Sequence, residues 1–169
     1  MLKTFVIAEN QRGLLIKDGR LINVLEPGRH VYVDMLGRLK LELVYAQGMF
    51  ASPWAEIIEK RHPELAARYF ETVRVGEGEV AIVNVDGRAT YIVRPGATAY
   101  VWKVLQTVEV VRVNTQDNAR LTKAELVAYE KAVATNERSN APIAIVTVGE
   151  TETGLVFFDR ELVEVLQPG

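Results

Sequence analysis

Leu14-Leu15-Ile16-Lys17-Asp18-Gly19-Arg20-Leu21-Ile22-Asn23-Val24-Leu25-Glu26-Pro27-Gly28 is a β-hairpin spelled out in residues. Two apolar runs flank Asp18-Gly19, and glycine supplies the positive φ that a tight hairpin turn requires. Pro27-Gly28 then ends the second strand and redirects the chain, proline fixing φ and glycine taking the left-handed slot.

The stretch recurs. Residues 9–28 align without a gap on Glu77 to Gly96, Glu9 falling on Glu77 and Gly28 on Gly96, through Val80-Ala81-Ile82-Val83-Asn84-Val85-Asp86-Gly87-Arg88 and Ile92-Val93-Arg94-Pro95-Gly96. A third copy runs from Glu150 through Gly154-Leu155-Val156-Phe157-Phe158-Asp159-Arg160 to Val165-Leu166-Gln167-Pro168-Gly169, with Glu150 in the place of Glu77 and Gly169 in that of Gly96. Recurrence of this kind marks a chain built from repeated supersecondary units. In the third copy Arg160 stands where the others have glycine, so a longer turn or a turn of another type is expected there.

Two further strand-like runs follow each complete hairpin: Arg29 to Val33 and Leu39 to Tyr45 in the first copy, Ala97 to Trp102 and Thr107 to Val113 in the second. Their alternation is that of strands with one buried face. Helical signals lie between. Ser52-Pro53 offers a cap and a first-turn proline for Trp54 to Lys60, with an end near Arg61 because Pro63 disfavours helical geometry at His62. A second piece spans Glu64 to Phe70. Thr122 and Glu125 form a capping box for a helix over Lys123 to Ala132. Thr135 to Pro142 reads as a loop. The expected fold is α+β and mainly β: tandem small antiparallel units, each a four-stranded sheet or an open barrel, with inserted helices. The expected units are 1–73, 74–142 and an incomplete third at 143–169.

Composition narrows the function. Of the 169 residues, 49% are hydrophobic and 25% charged, enough to bury a core. A net charge of -2 gives no pull toward phosphate polyanions, so nucleic acid is a poor partner. Without cysteine there is no disulfide, thiolate metal site or Cys nucleophile. The apolar start, Met1 to Ala8, is too short for a signal-peptide core or a spanning helix, so a cytoplasmic location with at most peripheral membrane contact is expected.

No catalytic, cofactor-binding or metal-binding residue emerges. His30 and His62 lie in unrelated contexts, and catalytic zinc usually takes three protein ligands. Asp18, Asp86 and Asp159 recur, but at turn tips, where aspartate bonds its own backbone. Gly76-Glu77-Gly78 lacks the third glycine, the lysine and the following helix of a phosphate loop, and reads as a turn. Ser52 serves as a helix cap, and with Ser139 the only other serine no hydrolase elbow exists. Trp54, Tyr100 and Trp102 are expected in the core rather than at an interface. Arg12, Lys17, Arg20, Arg29 and Arg38 could form a lipid-seeking basic face, but interleaved acidic residues favour an ordinary solvated surface.

The run Gly154 to Gly169, an apolar strand, a charged turn, a second strand and Leu-x-Pro-Gly, resembles the opening of the stomatin, prohibitin and flotillin (SPFH, or band 7) domain. With its two preceding copies and the helices between Trp54 and Phe70, nearly the whole chain is similar to the N-terminal region of bacterial slipins. The resemblance implies a non-enzymatic scaffold without cofactors. It would form homo-oligomers at the cytoplasmic face of membrane microdomains and modulate membrane-bound proteases or channels. It also implies that a stomatin-type domain starts at 143 and continues past Gly169. The competing expectation is a small enzyme or ligand-binding protein with a pocket between the two β units.

Overall fold

The structure, a computed structural model, describes residues 2–115, 121–135, 143 and 145–169. The strands are β1 (Leu2–Ile7), β2 (Gln11–Lys17), β3 (Arg20–Leu25), β4 (Gly28–Val33), β5 (Leu39–Tyr45), β6 (Phe70–Arg74), β7 (Glu79–Val85), β8 (Arg88–Val93), β9 (Thr98–Trp102), β10 (Val108–Asn114), β11 (Gly154–Phe158) and β12 (Glu161–Leu166). The helices are α1 (Pro53–Arg61), α2 (Pro63–Tyr69) and α3 (Lys123–Thr135). Residues 1–139 form one compact unit and 140–169 a second. The fold is α+β and mainly β, as expected, with several small antiparallel sheets and no closed barrel among the described residues.

The three hairpins are copies in backbone detail. In β2–β3, Gly13 pairs with Leu25, Leu14 with Val24 and Leu15 with Asn23; Ile22 is then inserted as an extra residue before Ile16 meets Leu21 and Lys17 meets Arg20. The corresponding pairs, from Ala81 with Val93 to Val85 with Arg88, build β7–β8 with Thr90 as the extra residue. In β11–β12 they run from Gly154 with Leu166 to Phe158 with Glu161, and Val163 takes that place. Such a bulge bends the strand and shifts its alternation. In each copy both turn residues have positive φ: Asp18 and Gly19 at 50° and 73°, Asp86 and Gly87 at 50° and 74°, Asp159 and Arg160 at 47° and 71°. The turn at Arg160 is therefore the same type I′ turn as the others, not a longer or different one. The flanking ladder holds Arg160 left-handed, at a cost of roughly 1–2 kcal/mol for a residue with a Cβ.

Each complete copy uses five strands divided between two small sheets. The strand that the sequence reading passed over leads each copy: β1 pairs with β4, and β6 with β9. The hairpin takes the last strand along its first, giving the orders β3-β2-β5 and β10-β7-β8. Phe70 accordingly opens β6 instead of closing α2. A single added residue between β8 and β9 displaces the final two strands by one position, so Leu2 faces Val33 whereas Phe70 faces Trp102.

These sheets stack in layers. Leu15, Leu25, Leu39 and Leu41 of the first three-stranded sheet meet Phe5, Ile7 and Tyr32 of β1–β4. Its opposite face, Leu14, Ile16, Leu21 and Val24, packs into a second core with Phe50, Ala55, Ile58, Ala66, Tyr69, Phe70 and Trp102. That core joins the copies through α1, α2 and the outer face of β6–β9. The Phe50 and Phe70 rings stack 5.2 Å apart, and Trp102 lies 4.5 Å from Phe70 with no exposed surface. Burying a side chain of that size contributes roughly 1.5–3 kcal/mol. The inner face of β6–β9, with Val73, Val75, Ala99 and Val101, meets Ala81, Val83 and Val93. Last, α3 packs on β8 and β7, with Tyr129 and Ala132 buried.

The helix ends follow the sequence signals. Ser52 Oγ accepts from the Trp54 amide at 3.3 Å ahead of Pro53. Thr122 Oγ1 accepts from the Glu125 amide, and the Glu125 carboxylate accepts from the Thr122 amide at 2.7 Å. The expected loop from Thr135 to Pro142 lies almost wholly outside the described residues; Thr135 itself closes α3.

Candidate interaction surface

The apolar positions that look outward decide where this molecule can act. Leu2, Thr4 and Val6 of β1 share a face with Val33, Val31 and Arg29 of β4, because directly paired residues of an antiparallel ladder point the same way. Leu2, Val6, Val31 and Val33 are 52–69% exposed. Met35 and Leu36, still more exposed, continue the patch beyond Val33. The matching positions of the second copy are Phe70, Thr72, Arg74, Tyr100 and Trp102, and there α1 and α2 cover the sheet. Tyr100 donates its hydroxyl proton to Glu59 of α1 at 2.7 Å, and Arg74 pairs with the same carboxylate. Burial, then the Glu59 carboxylate, pushes the Tyr100 hydroxyl up to about 12. The same sheet face is thus sealed in one copy and bare in the other.

The bare sheet is tied to the chain that follows it by an ion pair. The Lys3 ammonium lies 2.7 Å from Asp34 Oδ2 and donates to the Leu39 carbonyl. Asp34 also accepts from the Arg38 and Leu39 amides at 2.9 and 3.1 Å. Lys3, outweighing the opposing desolvation, together with those amides holds the Asp34 carboxyl at about 2. The link ties β1 to the β4–β5 turn.

Of the five arginines and lysines considered for a basic face, Arg12 is not on one: it is 5% exposed. Its Nη1 donates to the Gln11 carbonyl at 2.7 Å, and its Nε lies 3.1 Å from Glu26 Oε2, off hydrogen-bond geometry. Arg68 reaches Glu26 Oε1 at 2.7 Å, and the Tyr69 hydroxyl donates to the same oxygen. The Arg12 and Arg68 guanidinium groups lie 5.9 and 5.3 Å from the centre of the Tyr69 ring. Burial first, and then Glu26, pushes the Tyr69 hydroxyl up to about 12. This cluster pins α2 to the first hairpin, a structural duty that withdraws Arg12 from any surface role. Arg38 is paired with Asp18 at 3.6 Å.

The remaining candidates stay apart. His30 Nε2 bonds the Glu26 carbonyl, whereas His62 Nδ1 is 3.7 Å from Glu64. Among the described residues no group of three or more His, Asp or Glu is placed to hold a metal ion. Asp86 Oδ1 accepts from the Thr107 amide ahead of β10, so this bond of the turn aspartate reaches a neighbouring strand's lead-in and not the turn's own backbone. The Gly76 carbonyl accepts from the Glu79 and Gly96 amides, a turn leading into β7. Trp102 lies in the core as expected, Tyr100 is half-buried, and half-buried Trp54 donates through Nε1 to Glu42. Open grooves lie beside α1 among the described residues. One, of about 700 Å³, has Arg20, Arg61 and His62 around an apolar floor of Leu21, Ile22, Trp54 and Ile57. Another, of about 420 Å³, is lined by Met49, Phe50, Glu56, Ala99 and Tyr100 among others.

Taken alone, the apolar start from Met1 to Ala8 carries no sign of a strand face. Set against Phe70-Glu71-Thr72-Val73-Arg74-Val75, its counterpart in the next copy, it reads as the first strand of the unit. Compared with known protein families, with curated proteins and with solved structures, the chain has no match in any of the three.

Proposed function

We propose that this chain is a non-enzymatic scaffold or interaction module, of the slipin-like kind its repeats resemble, that assembles with other molecules at the cytoplasmic face of a membrane and there modulates membrane-bound proteins of protease or channel type. The observation that supports the reading is the uncovered β1–β4 face. A sheet face that meets water in a stacked repeat protein is ordinarily polar, and the outward face of β1–β4 presents valine and leucine. Among the described residues no helix is long and apolar enough to cross a membrane.

The test is light scattering on the full chain, alone and with mixed vesicles of phosphatidylethanolamine and phosphatidylglycerol. Assembly, or co-sedimentation with the vesicles, supports the proposal. A strict monomer that ignores the vesicles overturns it.

A further inference from the structure

The larger groove beside α1 carries positive charge that nothing nearby answers. It opens to about 700 Å³ between the start of β3 and α1, and no acidic residue lines it. Its cations are Arg20 on β3 and Arg61 in the last turn of α1, with His62 just beyond. Elsewhere in the first copy and the helices, ion pairs occupy the basic side chains: Arg12 and Arg68 meet Glu26, Arg38 meets Asp18, and Lys60 meets Glu56. Arg20 and Arg61 are exposed and pair with no carboxylate among the described residues. Arg61 lies at the negative end of a helix, where a cation is favoured, but Arg20, on a strand, has no such use. His62 already has Glu64 at 3.7 Å, so the two arginines dominate the field.

The floor of the groove is apolar. Leu21 is buried at its base, Trp54 and Ile57 are half-buried, and Ile22 is exposed. Trp54 is held in place because its Nε1 donates to Glu42 at 3.0 Å. Tryptophan beside arginine is the composition that anchors contacts between proteins. Small-molecule sites bury most of their ligand, whereas this groove is open to solvent, so a segment of chain suits it better than a small ligand.

We infer that this groove docks an acidic peptide segment of a partner protein, with carboxylates on Arg20 and Arg61 and a large apolar side chain on Trp54, Ile22 and Ile57. Charge complementarity carries the choice: guanidinium groups without partners over an apolar floor match a chain that mixes carboxylates with large apolar side chains. The groove shares no residue with the β1–β4 face, so the inference goes beyond the assembly reading and fails or holds separately from it.

The experiment immobilises the full chain and measures three pools of short synthetic peptides by surface plasmon resonance. In the first, Asp or Glu flanks positions drawn from Leu, Ile, Phe and Trp. In the second, Asn and Gln replace the acids; in the third, Ser replaces the apolar residues. The first pool should bind about tenfold or more tighter than either of the others. The double variant Arg20→Glu, Arg61→Glu should lose about tenfold or more of that binding, and Ile22→Asp should weaken it. Arg88→Glu, the same charge change at the matching place of the second hairpin, should leave it unchanged. These positions are exposed, and unchanged circular dichroism and melting show that the fold survives; if the double variant melts early, Arg20→Glu alone replaces it.

A first pool that fails to bind, or binds no better than the others, overturns the inference. So does a double variant that binds like wild type, or a loss in Arg88→Glu as large as that of the double variant. Vesicles containing phosphatidylglycerol form the last arm: if they bind through Arg20 and Arg61 while the first pool does not, the groove takes a lipid head group and the peptide inference falls. Light scattering of the same proteins bears on the scaffold reading alone.

Discussion

A Cβ built on Gly13 would lie 2.6 Å from Ile7 Cδ1 and 2.7 Å from Leu41 Cδ1, closer than packed carbons approach. Gly13→Ala should therefore overpack the first core, at roughly 1–3 kcal/mol. Removing a glycine from a strand interior returns about 0.5–1 kcal/mol, leaving a net loss of about 1–2 kcal/mol. Leu41 is half-buried and can swing aside, whereas Ile7 is held in the core at 3% exposure. The second copy shows how the clash is avoided: alanine stands at 81, and the neighbours are trimmed to Val75 and Val110. Ile7→Val alone removes the offending methyl from a packed site and should cost about 1 kcal/mol. If the copies are equivalent, the double variant should be no less stable than Ile7→Val alone, a coupling of about 1 kcal/mol or more between touching residues. Urea unfolding of the four proteins, followed by tryptophan fluorescence, measures it. Additive losses would refute the claim that the two copies share one packing solution.

Asp34 gives a pH signature. Its carboxyl is held at about 2 by Lys3 and two amides, against an ordinary value of 3.8. A depressed carboxyl stabilises the fold fully above its unfolded value and loses that contribution as pH falls through the folded one. Urea midpoints should thus decline between about pH 4 and pH 2, and Asp34→Asn should flatten that decline. Glu26→Gln strands the buried Arg12 guanidinium. Because Glu26 is itself 39% exposed, the loss should fall below the roughly 3–5 kcal/mol of a fully buried pair, at about 2 kcal/mol, read by thermal unfolding. Arg160→Gly relieves a left-handed residue and should stabilise the third hairpin by about 1 kcal/mol, seen as slower hydrogen exchange of the 154–166 amides. Thr122→Ala removes one side of the capping box and should cost about 1 kcal/mol in α3, measured by circular dichroism.

The hairpins, their recurrence and the starts of α1 and α3 were legible because local chemistry decides them, whereas α2 begins at Pro63 without a side-chain cap, one residue ahead of the expected Glu64. Asp-Gly selects its turn, Ser52-Pro53 selects a helix start, and Thr122 with Glu125 closes a box. Arg160 departs from its residue preference because the paired strands on either side hold the turn in the geometry of the other copies. The leading strand of the second copy is hidden in the sequence because Phe70 to Arg74 directly continues a helix, and nothing local separates Tyr69 from Phe70. The role of Arg12 was out of reach: its burial depends on Glu26, Arg68 and Tyr69, which come together only when α2 folds back on the first hairpin. The bare face became visible only by comparing the surroundings of two copies, which a linear reading does not supply.

Adjacent residues of β2 belong to different neighbourhoods, Leu15 looking back toward β1–β4 and Leu14 and Ile16 looking forward to the helices and β6–β9. A cut at the boundary between the copies would therefore not yield two miniature proteins. Residues 1–69 by themselves would keep the first core and the helices on the hairpin's other flank but lose Phe70 and Trp102 from beneath those helices, and the remainder would lose the lid over Trp102. The period seen in the sequence is a unit of duplication and not of autonomous folding, so an engineer who wishes to lengthen or shorten this molecule must add or remove its layers as whole periods.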